Sequence, residues 1–171
     1  MGASEQGADA TLGRWLTIPR TLCFVCNGDD VLLMKRSPGR RVFPYHYNGV
    51  GGHIERDEDP YQCVLREVKE ETGLTVRDVC LRAVYNIDAG QATGIILFVF
   101  TALSHSREIV SDSKEGTLHW IPRSKIMELD LVEDLPQLLP RIFERQAGAE
   151  PLFVHVSYDK LDRIVMRFAP E

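Results

Sequence analysis

The sequence predicts an α/β fold in which a mixed sheet lies between helices. Short runs of β-branched and apolar residues, which are typical of strands, recur along most of the chain. Two segments with apolar residues at helical spacing interrupt these runs. Strands that surround two helices form an α/β/α sandwich. At 171 residues, 44% of them hydrophobic, the chain is long enough for one such domain and too short for two.

The domain is expected to occupy residues 15–171. Residues 1–14 are mostly small or polar, which is typical of a loose N-terminal tail. Seven runs are predicted as strands: 21–26, 31–35, 81–87, 95–103, 117–121, 153–158 and 164–168. Turn-forming residues separate the first two runs and the last two, so each of these pairs is predicted to form a hairpin.

The best-defined helix follows Glu58. Asp59 can cap it, with Gln62 at the capping-box position. Pro60 suits the first helical position, and Gly73 can end the helix in a left-handed turn. Four apolar residues are predicted to form its buried stripe: Tyr61, Val64, Leu65 and Val68.

A second helix is predicted over residues 134–146. Four of its residues are expected to face the core: Leu138, Leu139, Ile142 and Phe143. Pro140 lies within this segment, and a proline inside a helix removes a backbone hydrogen bond. The sequence therefore does not fix the residue at which this helix begins.

The composition excludes two classes of partner. The net charge is -5 and the basic residues are scattered, so no broad basic surface is expected for a nucleic-acid polymer. The longest apolar run, 95–100, is far shorter than the roughly 20 residues that span a membrane. Cys23 and Cys26 form a C-x-x-C pattern, but no second pair completes a metal site, so packed thiols are predicted. Reduced cysteines fit a cytoplasmic protein.

Three glutamates share one face of the first helix. Glu67, Glu70 and Glu71 stand at i, i+3 and i+4, which places their Cβ atoms roughly 5–6 Å apart. Like charges at this spacing repel unless a cation lies among them, and hard oxygen ligands of this density suit Mg²⁺ or Mn²⁺. The alternative is a solvated acidic helix face that binds nothing.

The segment around these glutamates resembles the signature of the Nudix hydrolase family. It consists of Gly52, five residues, Glu58, seven residues and then Arg66-Glu67-Val68-Lys69-Glu70-Glu71-Thr72-Gly73-Leu74. Every specified position of the Nudix box is filled. The resemblance implies a Nudix-type α/β/α sandwich with a mixed central sheet. It also implies a small nucleotide as the substrate.

The resemblance further implies roles for the residues of the box. Glu67, Glu70 and Glu71 would hold one or more Mg²⁺ ions, often with the carbonyl oxygen of Gly51 as a further ligand. Two other residues would support that arrangement: Glu58 and Arg66.

The attacking water needs a general base within hydrogen-bond reach. In the Nudix family this base is either a glutamate of the box or a glutamate in a later loop, so Glu67 and Glu115 are the candidates. Glu115 lies shortly before Trp120, where MutT-like members carry an additional metal-binding glutamate. The alternative is that Glu115 is an ordinary loop residue.

A narrower resemblance, to MutT and its animal homologue, concerns the nucleobase. Asn48 precedes 49–52 as in that homologue, whose asparagine reads the purine edge, and Asp134 stands where an acidic residue contacts the base. An amide suits this task because it presents a donor and an acceptor side by side. Leu135 replaces a second acidic residue, and Val132 replaces a base-stacking tryptophan. The alternatives are a turn role for Asn48 and a helix N-cap role for Asp134.

The predicted loop 37–47 and the strand before it offer further contacts to a nucleotide. Four basic residues are candidates for the outer phosphates: Lys35, Arg36, Arg40 and Arg41. Three aromatic residues are candidates for stacking on the base: Phe43, Tyr45 and Tyr47. The alternative is a solvated basic loop.

The predicted function is a Mg²⁺-dependent pyrophosphohydrolase. The MutT resemblance implies that its substrate is an 8-oxo purine nucleoside triphosphate, which it converts to the monophosphate and pyrophosphate. One alternative is hydrolysis of another nucleoside diphosphate derivative, such as ADP-ribose or a dinucleoside polyphosphate. Another is a non-catalytic nucleotide-binding module, but such modules commonly lose the carboxylates of the box, and here all three are intact. The oligomeric state is left open.

Overall fold

The computed structural model describes residues 3–8, 13–39, 41–109, 115–146 and 148–170. It contains eight strands: β1 (Leu16–Asn27), β2 (Asp30–Arg36), β3 (Tyr47–Asn48), β4 (Arg77–Ile87), β5 (Thr93–Leu103), β6 (Gly116–Pro122), β7 (Leu152–Tyr158) and β8 (Ile164–Phe168). Two α-helices accompany them: α1 (Pro60–Thr72) and α2 (Leu135–Glu144). Short 3₁₀ helices occupy Ala3–Gln6 and Arg123–Glu128.

All eight strands join one sheet in the order β3-β2-β1-β5-β4-β7-β8, and β6 pairs with β2. The β1–β5 and β4–β7 pairs are parallel, whereas the other pairs are antiparallel. The predicted mixed sheet and both predicted hairpins are therefore confirmed. The C-terminal hairpin extends the sheet beyond β4.

Each face of the sheet carries one helix. Alternate residues of β1 point to opposite faces, so Phe24 and Cys26 pack in one apolar cluster with α2. Cys23 and Val25 pack in a second cluster with α1. We call these two sides the α2 face and the α1 face. The arrangement confirms the predicted α/β/α sandwich.

Strand β1 is twice as long as the predicted run. The prediction began at Thr21, after Pro19, which has no backbone N–H to donate to a neighbouring strand. In the structure β5 pairs with β1 in parallel along its length, from Leu16 opposite Thr93 to Cys26 opposite Leu103. Pairing with a distant strand thus extends β1 past Pro19 to Leu16.

The four cysteines are free thiols. Cys23 and Cys26 lie on opposite faces of the sheet, so they cannot act as a pair. Burial raises the pKa of both thiols, which makes them packing residues rather than nucleophiles. Within the described residues, no helix is long and apolar enough to cross a membrane.

Helix α1 has the predicted caps but a different buried stripe. The Asp59 carboxylate accepts hydrogen bonds from the Tyr61 and Gln62 amides at 2.8 and 2.9 Å. The C-terminal residue Gly73 adopts the left-handed conformation with φ 75°. The buried residues are Cys63, Val64, Val68 and Thr72. The prediction of Tyr61 as part of the stripe is wrong, since Tyr61 is 51% exposed, and Leu65 is only partly buried.

Helix α1 is rotated about its axis so that Cys63 and Thr72 face the sheet, and their contacts explain this orientation. Helix α1 packs on β1, where the Thr21 hydroxyl and the Cys63 thiol lie 3.3 Å apart, and the Thr72 hydroxyl donates to the Val68 carbonyl at 2.5 Å. Small polar side chains that satisfy each other or the backbone can replace larger apolar ones in a packed interface. Helical periodicity alone therefore misplaced the stripe.

Helix α2 is shorter than predicted. It covers Leu135–Glu144 instead of 134–146 and contains Pro140, which lies on its exposed side. Leu138, Leu139 and Ile142 are buried as predicted, and Phe143 packs partly buried against the same cluster.

Candidate active site

A glycine turn at 49–52 is fastened to the middle of β1. Cys23 and Val50 exchange two backbone hydrogen bonds of 2.7 and 3.1 Å, and the Thr21 amide donates to the Gly52 carbonyl at 2.9 Å. Gly51 has φ 151°, and a Cβ at this residue would lie 2.3 Å from the Thr21 carbonyl oxygen. Only glycine fits so close to β1 in this conformation. The turn therefore has a fixed position beside α1.

Three carboxylates converge beside this turn. Glu67 and Glu71 lie on α1. Glu115, immediately before β6, is close enough to both to disfavour their ionised forms. Burial is the main cause that raises the pKa of Glu67, and the negative charges of Glu70 and Glu115 add to it, whereas Arg66 opposes the shift. Burial, then Glu115, also raises the pKa of Glu71 well above its ordinary value.

The Glu71 carboxylate also contacts the glycine turn. Its Oε2 accepts a hydrogen bond from the Gly51 amide at 3.1 Å, and this contact favours the ionised form. The structure thus brings together Glu67, Glu71 and the candidate base Glu115, which sequence spacing alone could not place. Glu70 is the more exposed member of the box, with 61% of its side chain accessible.

Arg66 holds the remaining acidic side chains of the box. Its Nη2 and Nε donate to the two oxygens of Glu58 at 2.6 and 3.0 Å, and its Nη1 donates to Glu67 and Glu70 at 2.8 and 3.1 Å. A further bond of 3.2 Å reaches the His53 carbonyl. These hydrogen bonds from Arg66 lower the pKa of Glu58 to about 2. Arg66 thus links Glu58 to two carboxylates of α1.

The carboxylate cluster fits a hard divalent cation. Burial and mutual repulsion raise the pKa of Glu67 and Glu71, and Mg²⁺ favours partly buried carboxylate oxygens of this kind. In the described part of the chain, no three His, Cys, Asp or Glu side chains already stand at ligand spacing. Arg66 instead engages Glu67 and Glu70, so a bound cation would share these carboxylates with the guanidinium.

Gly52 leaves the space that the Glu67 carboxylate occupies. A Cβ at Gly52 would lie 2.3 Å from Glu67 Oε1, so Gly52→Ala is expected to displace this carboxylate while the fold persists. We expect kcat/KM to fall about 100-fold, the effect of a displacement of about 1 Å in a catalytic group. Gly39→Ala is the matched control, since a Cβ there meets no atom within 4 Å. Equal activities of the two variants would contradict the placement of Glu67 in the catalytic centre.

The basic residues proposed for the outer phosphates have separate surroundings. Lys35 is exposed, with its Nζ 5.7 Å from the centroid of the Tyr47 ring. The Arg36 Nε donates to the Val42 carbonyl at 2.9 Å, so this side chain holds the loop together. Arg41 is exposed, and Arg40 lies outside the described residues. A phosphate role for these residues stays a prediction.

The aromatic residues of the loop differ in burial. Phe43 and Tyr47 pack partly buried against the cluster on the α2 face. Tyr45 is 57% exposed. Stacking of these residues on a base stays a prediction.

The segments that carry Asn48 and Asp134 run side by side. Tyr47 donates its amide to the Asp130 carbonyl at 2.8 Å and accepts from the Val132 amide at 3.0 Å. The Asn48 side-chain oxygen accepts from the Gly49 amide at 2.8 Å, which is the contact of a turn residue. Asp134 is at the N-cap position of α2, but its side chain makes no cap hydrogen bond. The capping alternative for Asp134 is therefore not realised.

A polar group near Asp134 was missed by the sequence reasoning. Tyr85 is 1% exposed and points into the α2 face, yet its hydroxyl has no hydrogen-bond partner among the described residues. The Tyr158 hydroxyl donates to Glu133 at 2.9 Å. The negative charge of Asp134 acts on both phenols. Tyr85 escaped notice because an isolated tyrosine in an apolar strand is typical of a core.

Asp134 makes a pH-dependent contribution to stability. Burial, and secondarily Glu133, raises the pKa of Asp134 to about 6. The native state therefore loses stability as the pH rises through about 6, and this loss is absent below the ordinary aspartate pKa of about 3.9. Asp134→Asn should raise the free energy of unfolding by up to about 3 kcal/mol at neutral pH and by about 1 kcal/mol or less near pH 4.5. Urea unfolding of both proteins at the two pH values measures the difference, and a gain that does not depend on pH would contradict the shift.

Comparison with known proteins places the chain in a family. Residues 16–142 match the model of the NUDIX domain. YvcI of Bacillus subtilis, an uncharacterised Nudix hydrolase, is 31% identical over 116 residues, which are 65% of this chain and 70% of that protein. The NAD-capped RNA hydrolase NudC of Pseudomonas aeruginosa is 43% identical over 61 residues, but these are 36% of this chain and only 21% of NudC.

Solved structures share the same fold. The MutT protein of Bacillus halodurans has a TM-score of 0.75 at 27% identity, covering 90% of this chain and 99% of its own. The Nudix domain of NrtR from Shewanella oneidensis, solved with ADP ribose, has a TM-score of 0.64 at 22% identity, covering 85% of this chain and 99% of its own. Together with the intact box and its clustered carboxylates, the matches show that the chain belongs to the Nudix family, whose hydrolases act on the pyrophosphate bond of nucleotide derivatives.

Proposed function

We propose that this protein is a Mg²⁺-dependent pyrophosphohydrolase. Its proposed substrate is an 8-oxo purine nucleoside triphosphate, which it converts to the monophosphate and pyrophosphate. The observation that carries the proposal is the convergence of Glu67, Glu71 and Glu115 beside the glycine turn. Bound there, Mg²⁺ would neutralise charge on the phosphates and lower the pKa of the attacking water. Glu70 and the carbonyl oxygen of Gly51 are the further proposed ligands.

The residues of the chain supply positioning and proton transfer. Arg66 joins Glu58, Glu67 and Glu70, so it fixes the box carboxylates relative to one another. Glu67 and Glu115 are the two candidates for the general base that removes a proton from the attacking water. This water attacks phosphorus, and pyrophosphate leaves.

The proposed substrate preference rests on Asn48, Asp134 and a buried hydroxyl near Asp134. Asn48 and Asp134 are carried by neighbouring segments, and the buried Tyr85 hydroxyl lies near Asp134 without a partner in the described residues. A buried hydroxyl without a hydrogen bond costs about 1–3 kcal/mol, so a polar ligand edge that reached Tyr85 would recover this free energy. These groups support recognition of a purine by hydrogen bonds.

The test is a substrate panel with Mg²⁺. It contains normal and 8-oxo purine deoxynucleoside triphosphates, ADP-ribose and dinucleoside polyphosphates, and the products are separated as pyrophosphate, phosphate and nucleotide. We expect pyrophosphate from triphosphates, with the highest kcat/KM for an 8-oxo purine. Glu70→Gln is the inactive control.

Each result of the panel has a definite consequence. Turnover of ADP-ribose without turnover of any triphosphate would reject the proposed substrate class and keep the hydrolase. No turnover of any member would support a nucleotide-binding module instead. Full activity of Glu70→Gln would show that the metal site is misplaced.

A further inference from the structure

A recess that contains several arginines lies on the α2 face, apart from the carboxylate cluster. It is a recess of about 370 Å³ at the Cys26 end of β1, between β4, β5 and the C-terminal end of α2. The carboxylate cluster lies beside α1, on the opposite face of the sheet. Three arginines from different elements line the recess: Arg82, Arg123 and Arg145. We call it the arginine recess.

Two of these arginines contact neutral groups. The Arg82 Nε donates to the Thr101 hydroxyl at 2.8 Å, and its Nη1 donates to the Gln146 carbonyl at 3.3 Å. The Arg123 guanidinium stacks 4.8 Å from the centroid of the Phe143 ring. Among the described residues, no carboxylate forms an ion pair with either side chain.

The recess is positively charged although the whole chain carries a net charge of -5. Asp78 is the single carboxylate among its described lining residues, and it is ion-paired with Arg77. Arg123 and Arg82 both act on the Cys26 thiol at the base of the recess, so the two guanidinium groups face the same space. Positive charge gathered in a concave site attracts anions.

We propose that the arginine recess binds the phosphate group of a small molecule. Guanidinium groups form paired, charge-assisted hydrogen bonds with phosphate oxygens, and the volume suits a small ligand. The phosphate belongs either to free phosphate or pyrophosphate or to a nucleoside monophosphate. The competing explanation is that the arginines only balance the partial negative charge at the C-terminal end of α2.

Cys80 provides a local reporter for the test. It lines the recess and is the one partly exposed cysteine, since Cys23, Cys26 and Cys63 are buried. The rate of its alkylation by uncharged iodoacetamide is measured by peptide mass mapping. The full chain is used in EDTA, with inorganic phosphate, pyrophosphate or AMP as separate probes. Cys80→Ser confirms the assignment of the labelled peptide.

We expect at least one probe to slow alkylation of Cys80 with saturation. Arg82→Gln and Arg123→Gln should each raise the concentration for half protection about tenfold or more, the loss of one charge-assisted hydrogen bond. Arg163→Gln is the matched control, because it removes an exposed guanidinium from the C-terminal hairpin. Thermal unfolding without a probe checks the fold, and if Arg82→Gln fails to fold, Arg123→Gln decides. A response to phosphate and pyrophosphate alone assigns the free anions, whereas a response to AMP assigns the nucleotide.

Two outcomes would overturn the proposal. Unprotected Cys80 at millimolar concentrations of every probe would leave the arginines only their role at the end of α2. Protection that is lost in Glu70→Gln but kept in both arginine variants would place the anion in the Nudix box. Since alkylation needs no turnover, failure here and failure of the proposed hydrolase are distinguishable.

Discussion

Glu71→Gln is expected to lower kcat/KM about 1000-fold or more while leaving the metal-free protein as stable as the parent or more stable. The carboxylate of Glu71 is a proposed Mg²⁺ ligand at the centre of the site, where electrostatic stabilisation acts in a partly buried environment. Without a cation, it is crowded by the charges of Glu115 and Glu67. A neutral amide removes this repulsion and can still accept the hydrogen bond of the Gly51 amide.

The measurement pairs kinetics with unfolding. Urea unfolding in EDTA gives the stability of the metal-free proteins, and repetition with Mg²⁺ gives the stabilisation by bound metal. Mg²⁺ should stabilise the parent and have little effect on Glu71→Gln. Glu144→Gln, an exposed carboxylate on α2, is the control and should match the parent in both measurements. Equal stabilisation of Glu71→Gln by Mg²⁺ would remove Glu71 from the ligand set.

The elements that depend on local chemistry could be predicted from the sequence. Helix α1 was bounded correctly because Asp59 and Gly73 satisfy its terminal backbone groups through neighbours in the chain. Both hairpins were predicted for the same reason, since their turns join strands adjacent in sequence. In each case the residues that determine the helix end or the turn lie within a few positions of it in the sequence.

The elements that depend on distant partners could not be predicted. Half of β1 is a strand only because β5 pairs with it from more than 70 residues away in the chain. The buried stripe of α1 was misplaced because the residues of α1 that pack on β1 include Cys63, whose thiol lies against the Thr21 hydroxyl, whereas Tyr61 is exposed. Tertiary packing overrides helical periodicity at these positions.

The candidate site divides in the same way. The box carries Glu67, Glu70, Glu71 and Arg66 on one helix, so their proximity follows from helical geometry. The approach of Glu115 depends on β6 pairing with β2, and only the family resemblance pointed to it. The buried Tyr85 hydroxyl and the arginine recess have no sequence signal, because each is assembled from separate elements of the sheet and α2.

Substitution of Arg66 should distinguish the effect of its positive charge from the effect of its hydrogen bonds to the carboxylates of the box. Arg66→Met removes the group that joins Glu58, Glu67 and Glu70, and we expect kcat to fall about 100-fold as these carboxylates lose their relative positions. Because the guanidinium competes with a cation for Glu67 and Glu70, the Mg²⁺ concentration for half activation should fall as well. A lower kcat with tighter metal binding is the signature of a positioning residue.

Arg66→Lys is the informative companion, because an ammonium keeps the charge but cannot form the paired hydrogen bonds of a guanidinium. Its kcat should fall about tenfold or more, as lost geometry predicts, while its Mg²⁺ requirement stays near that of the parent. Mg²⁺ titrations of kcat for the three proteins measure both quantities. If Arg66→Lys keeps the full kcat, charge alone explains the role of Arg66. If Arg66→Met needs more Mg²⁺ than the parent, the guanidinium assists metal binding instead of competing with it, and the electrostatic account of the box is wrong.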